Sequence, residues 1–209
     1  SFLQQKKCVI TVPNALPQNF VNRLTPNFQA AFKRKHILML GSLKLYKSPL
    51  EFIELAKRLP QFIFVLVIND IKENIDIFIK EYKINISKNL TIYPQQNDVV
   101  PFYNQTSLVL NLSNKKQFVE TFGLTALEAM SAGLPVIVPT EGGIAEMVVD
   151  GENGYKIDVQ NLNQIAECIK TILSDETLYM KLAQNALAYS KRFSEAKMVN
   201  CIEMILNRK

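Results

Sequence analysis

Residues 107–139, SLVLNLSNKKQFVETFGLTALEAMSAGLPVIVP, decide the fold. Two short apolar runs, SLVLNL (107–112) and PVIVP (135–139), flank the stretch ETFGLTALEAM (120–130), which reads as a helix starting near Thr121 or Phe122 and ending at Gly133 before Pro135. Neither run alternates apolar with polar residues, so both read as strands covered on two faces. Strand, helix, strand in that order implies parallel pairing through a right-handed crossover.

The same grammar extends outward. HILMLG (36–41), FIFVLVI (62–68), LTIY (90–93) and a weaker GYKI (154–157) are further strand candidates, with helical periods between them. SPLE (48–51) predicts a helix start with Ser48 as the N-cap, Pro49 in the first helical position and Glu51 closing a capping box. Phe52, Leu55, Ala56 and Leu59 then share one face, as do Leu162, Ile165, Ala166, Ile169 and Leu173 farther on. Two final helices, over about 176–191 and 195–207, are expected beside the sheet. Two prolines keep VPNALP (12–17) out of helix, so the opening reads as irregular. With 209 residues, 48% of them hydrophobic, and no internal repeat, the chain reads as one α/β domain.

Composition narrows the function classes. The longest apolar run, FIFVLVI, is far short of the roughly 20 residues that span a bilayer. Cys8, Cys168 and Cys201 have neither the count nor the spacing of a disulfide framework or zinc site, and read as packed thiols in a reducing compartment. The start on SFLQQKKCVI, with no initiator Met and no signal pattern, reads as a piece of a longer protein. A net charge of +5 permits an anionic ligand or a membrane surface. No zinc-finger, basic-zipper or alternating basic and aromatic pattern supports a nucleic-acid partner.

Ligands of open parallel sheets bind beyond the carboxyl ends of the strands. Three loops fall there. GSLKLYK (41–47) offers Gly41 and the cations Lys44 and Lys47, which suit a phosphate or simply a solvated loop; neither a dinucleotide fingerprint nor a P-loop is present. In ETFGLTALEAM, Gly123 lets a ligand come close to the main chain, and Glu128 lies roughly 9 Å inside the helix from residue 122, counting 1.5 Å per residue. Its neighbours are apolar, so this carboxylate needs donors, which the vicinal hydroxyls of a ribose can supply; a surface position would need none. Glu120 stands before the helix, as a partner of its dipole or of the same ligand. Gly142 and Gly143 in TEGGIAE (140–146) are consistent with a plain turn and with a ligand approach.

The gapless segment ETFGLTALEAMSAGLPVIVPTEGGIAEMVVDGENGY (120–155) resembles the donor-binding core of family-4 retaining glycosyltransferases, with its E-x7-E, A-x-G-x-P-V-I, G-G-x-x-E and late N-G. VPNAL and GSLKLYKSPLEFIELAKRL are similar to the V-x-N-G segment and the G-R-x5-K-G loop of the same family. The resemblance implies the C-terminal half of a GT-B fold, a Rossmann-like parallel sheet with helices on both faces. Residues 1–22 would be the linker from a missing first domain, and 23–209 the nucleotide-sugar-binding domain with two C-terminal helices.

On this resemblance Glu128 would hold ribose hydroxyls and Glu120 hydroxyls of the transferred sugar. The amides of Phe122, Gly123, Leu124 and Thr125 would face the sugar and diphosphate, Lys47 would neutralise the departing phosphate, and the base would rest near Tyr93 and Pro94. Ser42 departs from the pattern, standing where the family has arginine; Lys44 is the candidate to stand in, as a point charge and not a fork. Ser48 in place of glycine is accounted for by the capping box. His36, the sole histidine, starts a strand on the wrong side of the sheet and is expected to be structural.

The implied reaction moves a sugar from a nucleotide sugar to an acceptor glycan or lipid, bound through the missing N-terminal domain, with retention and without a metal or other cofactor. The setting is cytoplasmic polysaccharide or glycolipid assembly, compatible with peripheral membrane association of the full-length protein. The fragment alone is expected to be inactive. A nucleotide-sugar-binding module without turnover and a sugar-nucleotide epimerase are the other readings.

Overall fold

The computed structural model describes Val12 and residues 14–207. Cys8, together with residues 1–11 and 13 of the expected linker, lies outside the described residues.

All six apolar runs form strands: β1 (His36–Gly41), β2 (Ile63–Ile68), β3 (Leu90–Tyr93), β4 (Leu108–Leu110), β5 (Val136–Val138) and β6 (Gly154–Lys156). They make one parallel sheet in the order β3-β2-β1-β4-β5-β6. Consecutive residues such as Ile37 and Leu38, or Val136, Ile137 and Val138, are buried, so both faces of the sheet are covered. That is why these strands read as continuous apolar runs.

The helices are α1 (Gln18–Val21), α2 (Phe28–Arg34), α3 (Pro49–Arg58), α4 (Lys72–Glu81), α5 (Val100–Asn104), α6 (Leu124–Ser131), α7 (Gly143–Glu146), α8 (Leu162–Ser174), α9 (Glu176–Ser190) and α10 (Glu195–Leu206). Phe52, Leu55 and Ala56 of α3 are fully buried, as the period requires. The opening is less irregular than its prolines suggest. In α2 the Asn27 side chain caps the helix by accepting from the Ala30 amide. The cap after Pro26 is the signal that the sequence carried for it.

Two expectations need correction. Ser48 does precede α3, but its backbone is left-handed (φ 57°, ψ 48°) and its side chain caps nothing. The hydroxyl is buried without a hydrogen-bond partner, so the capping box does not form. A left-handed residue is glycine's ordinary place, which is the physical sense of the family's glycine there. Of the last two helices, α9 packs against α2 and α6, and the buried Tyr179 donates its hydroxyl to the Ser107 carbonyl (2.8 Å). α10 instead contributes no buried residue; the chain leading into it bridges Leu16 at Ser194.

Among the described residues no helix is long and apolar enough to cross a membrane. Cys168 packs against the core, and burial pushes its thiol up to about 12, so it is inert at neutral pH. Cys201 is half-buried, and both thiols are free.

Candidate functional site

The strand order reverses between β1 and β4, since the chain leaves β1 toward β2 and β3 and then returns to the other side of β1. Beyond the carboxyl ends of such a pair a parallel sheet leaves a crevice. A cleft of about 510 Å³ opens there. Gly41 and Ser42 leave β1 into it, Asn111 and Ser113 leave β4 into it, and residues 120–125 close it from the side of α6. Asn14, from the segment VPNAL, also lines it.

Lys47 and Glu120 meet inside this cleft. Lys47 ends a single 3-10 turn, Leu45–Lys47, and its Nζ donates to Glu120 Oε2 at 2.5 Å, with Ser113 Oγ at 3.4 Å. The two side chains are only 23% and 17% exposed. Partial exclusion of water makes such a pair stronger than one on the open surface. The ammonium also lies 4.2 Å from the centre of the Phe118 ring, which stacks on Tyr46 at 4.9 Å. Sequence reasoning gave the two charges to different parts of a ligand, whereas here they bond each other. It missed Tyr46 and Phe118 altogether; the signal was an aromatic two residues before Glu120.

Helix α6 begins at Leu124, not at Thr121 or Phe122. Gly123 precedes it in the left-handed region (φ 78°), so the chain at 121–122 belongs to the loop. No side chain caps α6, which leaves its leading amides to whatever occupies the cleft. The glycines of TEGGIAE have another purpose than ligand access. A Cβ on Gly143 would fall 1.8 Å from the Thr121 carbonyl oxygen, and one on Gly142 would fall 2.3 Å from that of Glu120. The bare face of Gly123 is likewise turned to Ile144, whose Cγ1 would meet a Cβ at 2.4 Å. Gly142 and Gly143 therefore let the acidic loop and the start of α7 pack main chain to main chain, while Gly123 makes room for the Ile144 side chain.

Glu128 sits in the second turn of α6, one turn beyond Leu124 and Thr125. It is not among the residues lining the cleft, and its donor is already inside the protein. The Tyr103 hydroxyl, on α5, donates to Glu128 Oε2 at 2.5 Å and lies 3.5 Å from the Thr125 carbonyl. Burial raises the Glu128 carboxyl above the usual range, and the Tyr103 bond pulls it partly back. The Tyr103 phenol is pushed well up, first by burial and then by the neighbouring carboxylate. Tyr103 was missed because a buried tyrosine in a short helix reads as core.

The remaining predicted residues divide. Ser42, Phe122, Gly123, Leu124 and Thr125 line the cleft with Lys47 and Glu120. Lys44, Tyr93 and Pro94 do not: Lys44 is exposed, and Tyr93 ends β3 with its ring edge against Phe102 at 5.1 Å. Asn69, Gln96 and Val99 line that flank instead. His36 opens β1 at the far end from the cleft, its amide donating to Ser107 Oγ (3.0 Å), and burial lowers its imidazole. Among the described residues no group of three or more His, Cys, Asp or Glu is placed to hold a metal ion.

A six-stranded parallel sheet in this order, with its cleft at the reversal, defines a Rossmann-like domain, and it matches solved structures of GT-B glycosyltransferases. Residues 23–189 match the family model "Glycosyl transferases group 1", and the chain belongs to that family. N-acetyl-alpha-D-glucosaminyl L-malate synthase of Bacillus anthracis is 30% identical over 142 residues, covering 68% of this chain and 36% of that protein. The C-terminal domain of the glycosyl transferase group 1 protein LpcC from Francisella tularensis superposes with a TM-score of 0.65 at 26% identity, covering 82% of this chain and 96% of that one. HepE from Anabaena, solved with UDP and glucose, superposes with a TM-score of 0.73 at 23% identity, covering 93% of this chain and 53% of that one. The chain thus spans well under two thirds of the curated relative and of HepE.

Proposed function

We propose that the cleft between β1 and β4 binds a nucleoside-diphosphate sugar and that the chain is the donor-binding part of a retaining glycosyltransferase. The observation that carries this reading is the meeting of Lys47, Glu120 and the uncapped start of α6 in one crevice at the strand-order reversal. A diphosphate finds amides and an ammonium there, and a sugar attached to it finds a carboxylate for its hydroxyls. HepE binding UDP and glucose on the same fold supports the choice of ligand.

In this reading Glu128, oriented by Tyr103, offers its second oxygen to ribose hydroxyls, and Gln96 and Val99 flank the base. In transfer the bond from the anomeric carbon to the β-phosphate oxygen breaks, the acceptor oxygen bonds the same face, and its proton passes to the departing phosphate. The protein's share is electrostatic stabilisation of that phosphate and positioning of both reactants. The acceptor, a glycan or lipid, is held by the rest of a longer protein working in the cytoplasm or at the inner membrane face. In this reading the Lys47 ammonium and the leading amides of α6 meet the diphosphate charge without a metal.

The test is a thermal-shift panel of UDP-, GDP-, ADP- and TDP-sugars on this chain, followed by titration calorimetry of the best ligand. A rise in melting temperature with one nucleotide sugar, lost in Lys47→Ala, is expected. No shift with any member would overturn the reading.

A further inference from the structure

Lys47 is the one cation and Glu120 the one carboxylate among the described residues that line the cleft. They are bonded to each other, so the lining of the cleft carries a balanced pair and no spare positive charge among the described residues. Ser42, where the family pattern has arginine, lines the cleft without supplying a second cation. We infer that Glu120 makes this cleft discriminate between an intact nucleotide sugar and the bare nucleoside diphosphate left after transfer, holding the first and repelling the second.

The inference rests on the donor-site reading above and follows from the chemistry of the two ligands. In a nucleotide sugar the terminal phosphate is esterified, carries one charge, and keeps a neutral sugar between itself and Glu120. The sugar's hydroxyls then donate to the carboxylate and replace what it loses when Lys47 turns toward phosphate. A free diphosphate ends in a phosphate of about two charges near neutral pH, with nothing between it and Glu120. It must share the single ammonium with a carboxylate 2.5 Å from that ammonium. Like charges in a half-shielded cleft repel far more than in water. The spent nucleotide is therefore released readily, which matters wherever product release limits turnover.

Paired titration calorimetry on the 209-residue chain tests this, with UDP against UDP-glucose, GDP against GDP-mannose and ADP against ADP-glucose. Glu120→Gln keeps the shape and removes the charge. It should tighten the diphosphate and weaken the nucleotide sugar, moving their affinity ratio by about tenfold or more, the scale of one charge pair at close range. The double variant Lys47→Met/Glu120→Gln should lose the gain in diphosphate affinity. Ser42→Arg, which leaves the pair intact, should tighten the diphosphate more than the sugar form. A ratio unmoved in both Glu120→Gln and Ser42→Arg overturns the inference while leaving the donor site standing. A wild-type chain that binds none of the six ligands overturns the donor site itself.

Discussion

Tyr103 donates its hydroxyl hydrogen to Glu128 across the junction of α5 and α6, so a carboxylate sunk in an apolar helix has a partner before any ligand arrives. The bond fixes one oxygen of Glu128. It also ties the Tyr103 phenol to the charge of the Glu128 carboxylate.

The folded protein holds the Glu128 proton more tightly than the unfolded chain does, because burial raises the carboxyl. Its contribution to stability is therefore full below the ordinary glutamate range and lost as pH rises through the folded value. Tyr103→Phe removes the bond that limits this loss. Urea unfolding should show a cost of about 1.5–3 kcal/mol near pH ~8 and a smaller one near pH ~4. Equal costs at both would detach Tyr103 from the carboxylate.

For binding, Glu128→Ala should weaken the preferred nucleotide sugar by about ten- to a hundred-fold, the worth of one hydrogen bond to a charged group. Unchanged calorimetry would remove Glu128 from the site.

Lys47→Ala should cost a nucleoside diphosphate more affinity than it costs the matching nucleoside, by about tenfold. Similar losses for both ligands would mean that the ammonium does not face phosphate.

Gly143→Ala places a methyl where the Thr121 carbonyl oxygen now lies, so it should destabilise the chain by about 1–3 kcal/mol and weaken donor binding as the acidic loop shifts. At Gly41 the nearest neighbour of an added Cβ is Lys47 Cβ at 3.9 Å, and Gly41→Ala should be mild. Thermal melts of the two variants decide this, and a harmless Gly143→Ala would contradict the packing described.

Ser48→Gly relieves a left-handed backbone and an unpartnered buried hydroxyl. Denaturant titration should show a gain of about 1 kcal/mol, the left-handed cost less the extra chain entropy of glycine. A loss would mean that the hydroxyl bonds something else.

The inner strands were legible because strands wet on neither face have no polar positions, and the half-exposed edge strand β3 was legible as a short β-branched and aromatic run; all six runs became strands, with ends shifted by a residue or two. Lys47, Glu120 and Gly123 were legible as cleft residues because they follow the carboxyl ends of β1 and β4, where a parallel sheet leaves its crevice. What stayed hidden is what depends on contacts between distant segments. Ser48 looks like a cap by its neighbours in sequence, yet the 3-10 turn before it sets a left-handed backbone. Gly142 and Gly143 look like a ligand opening until the carbonyls of Glu120 and Thr121 are seen to fill the space. Tyr103 and Glu128 are 25 residues apart, and no period in either helix connects them.

The Thr121 carbonyl nested over Gly143 also limits engineering. Residues 120–123 and 142–144 are two halves of one mechanical joint, so a chimera that transplants ETFG alone onto a backbone with a bulkier residue at the second glycine inherits a collision. An exchange of this loop between related domains should therefore carry both halves together.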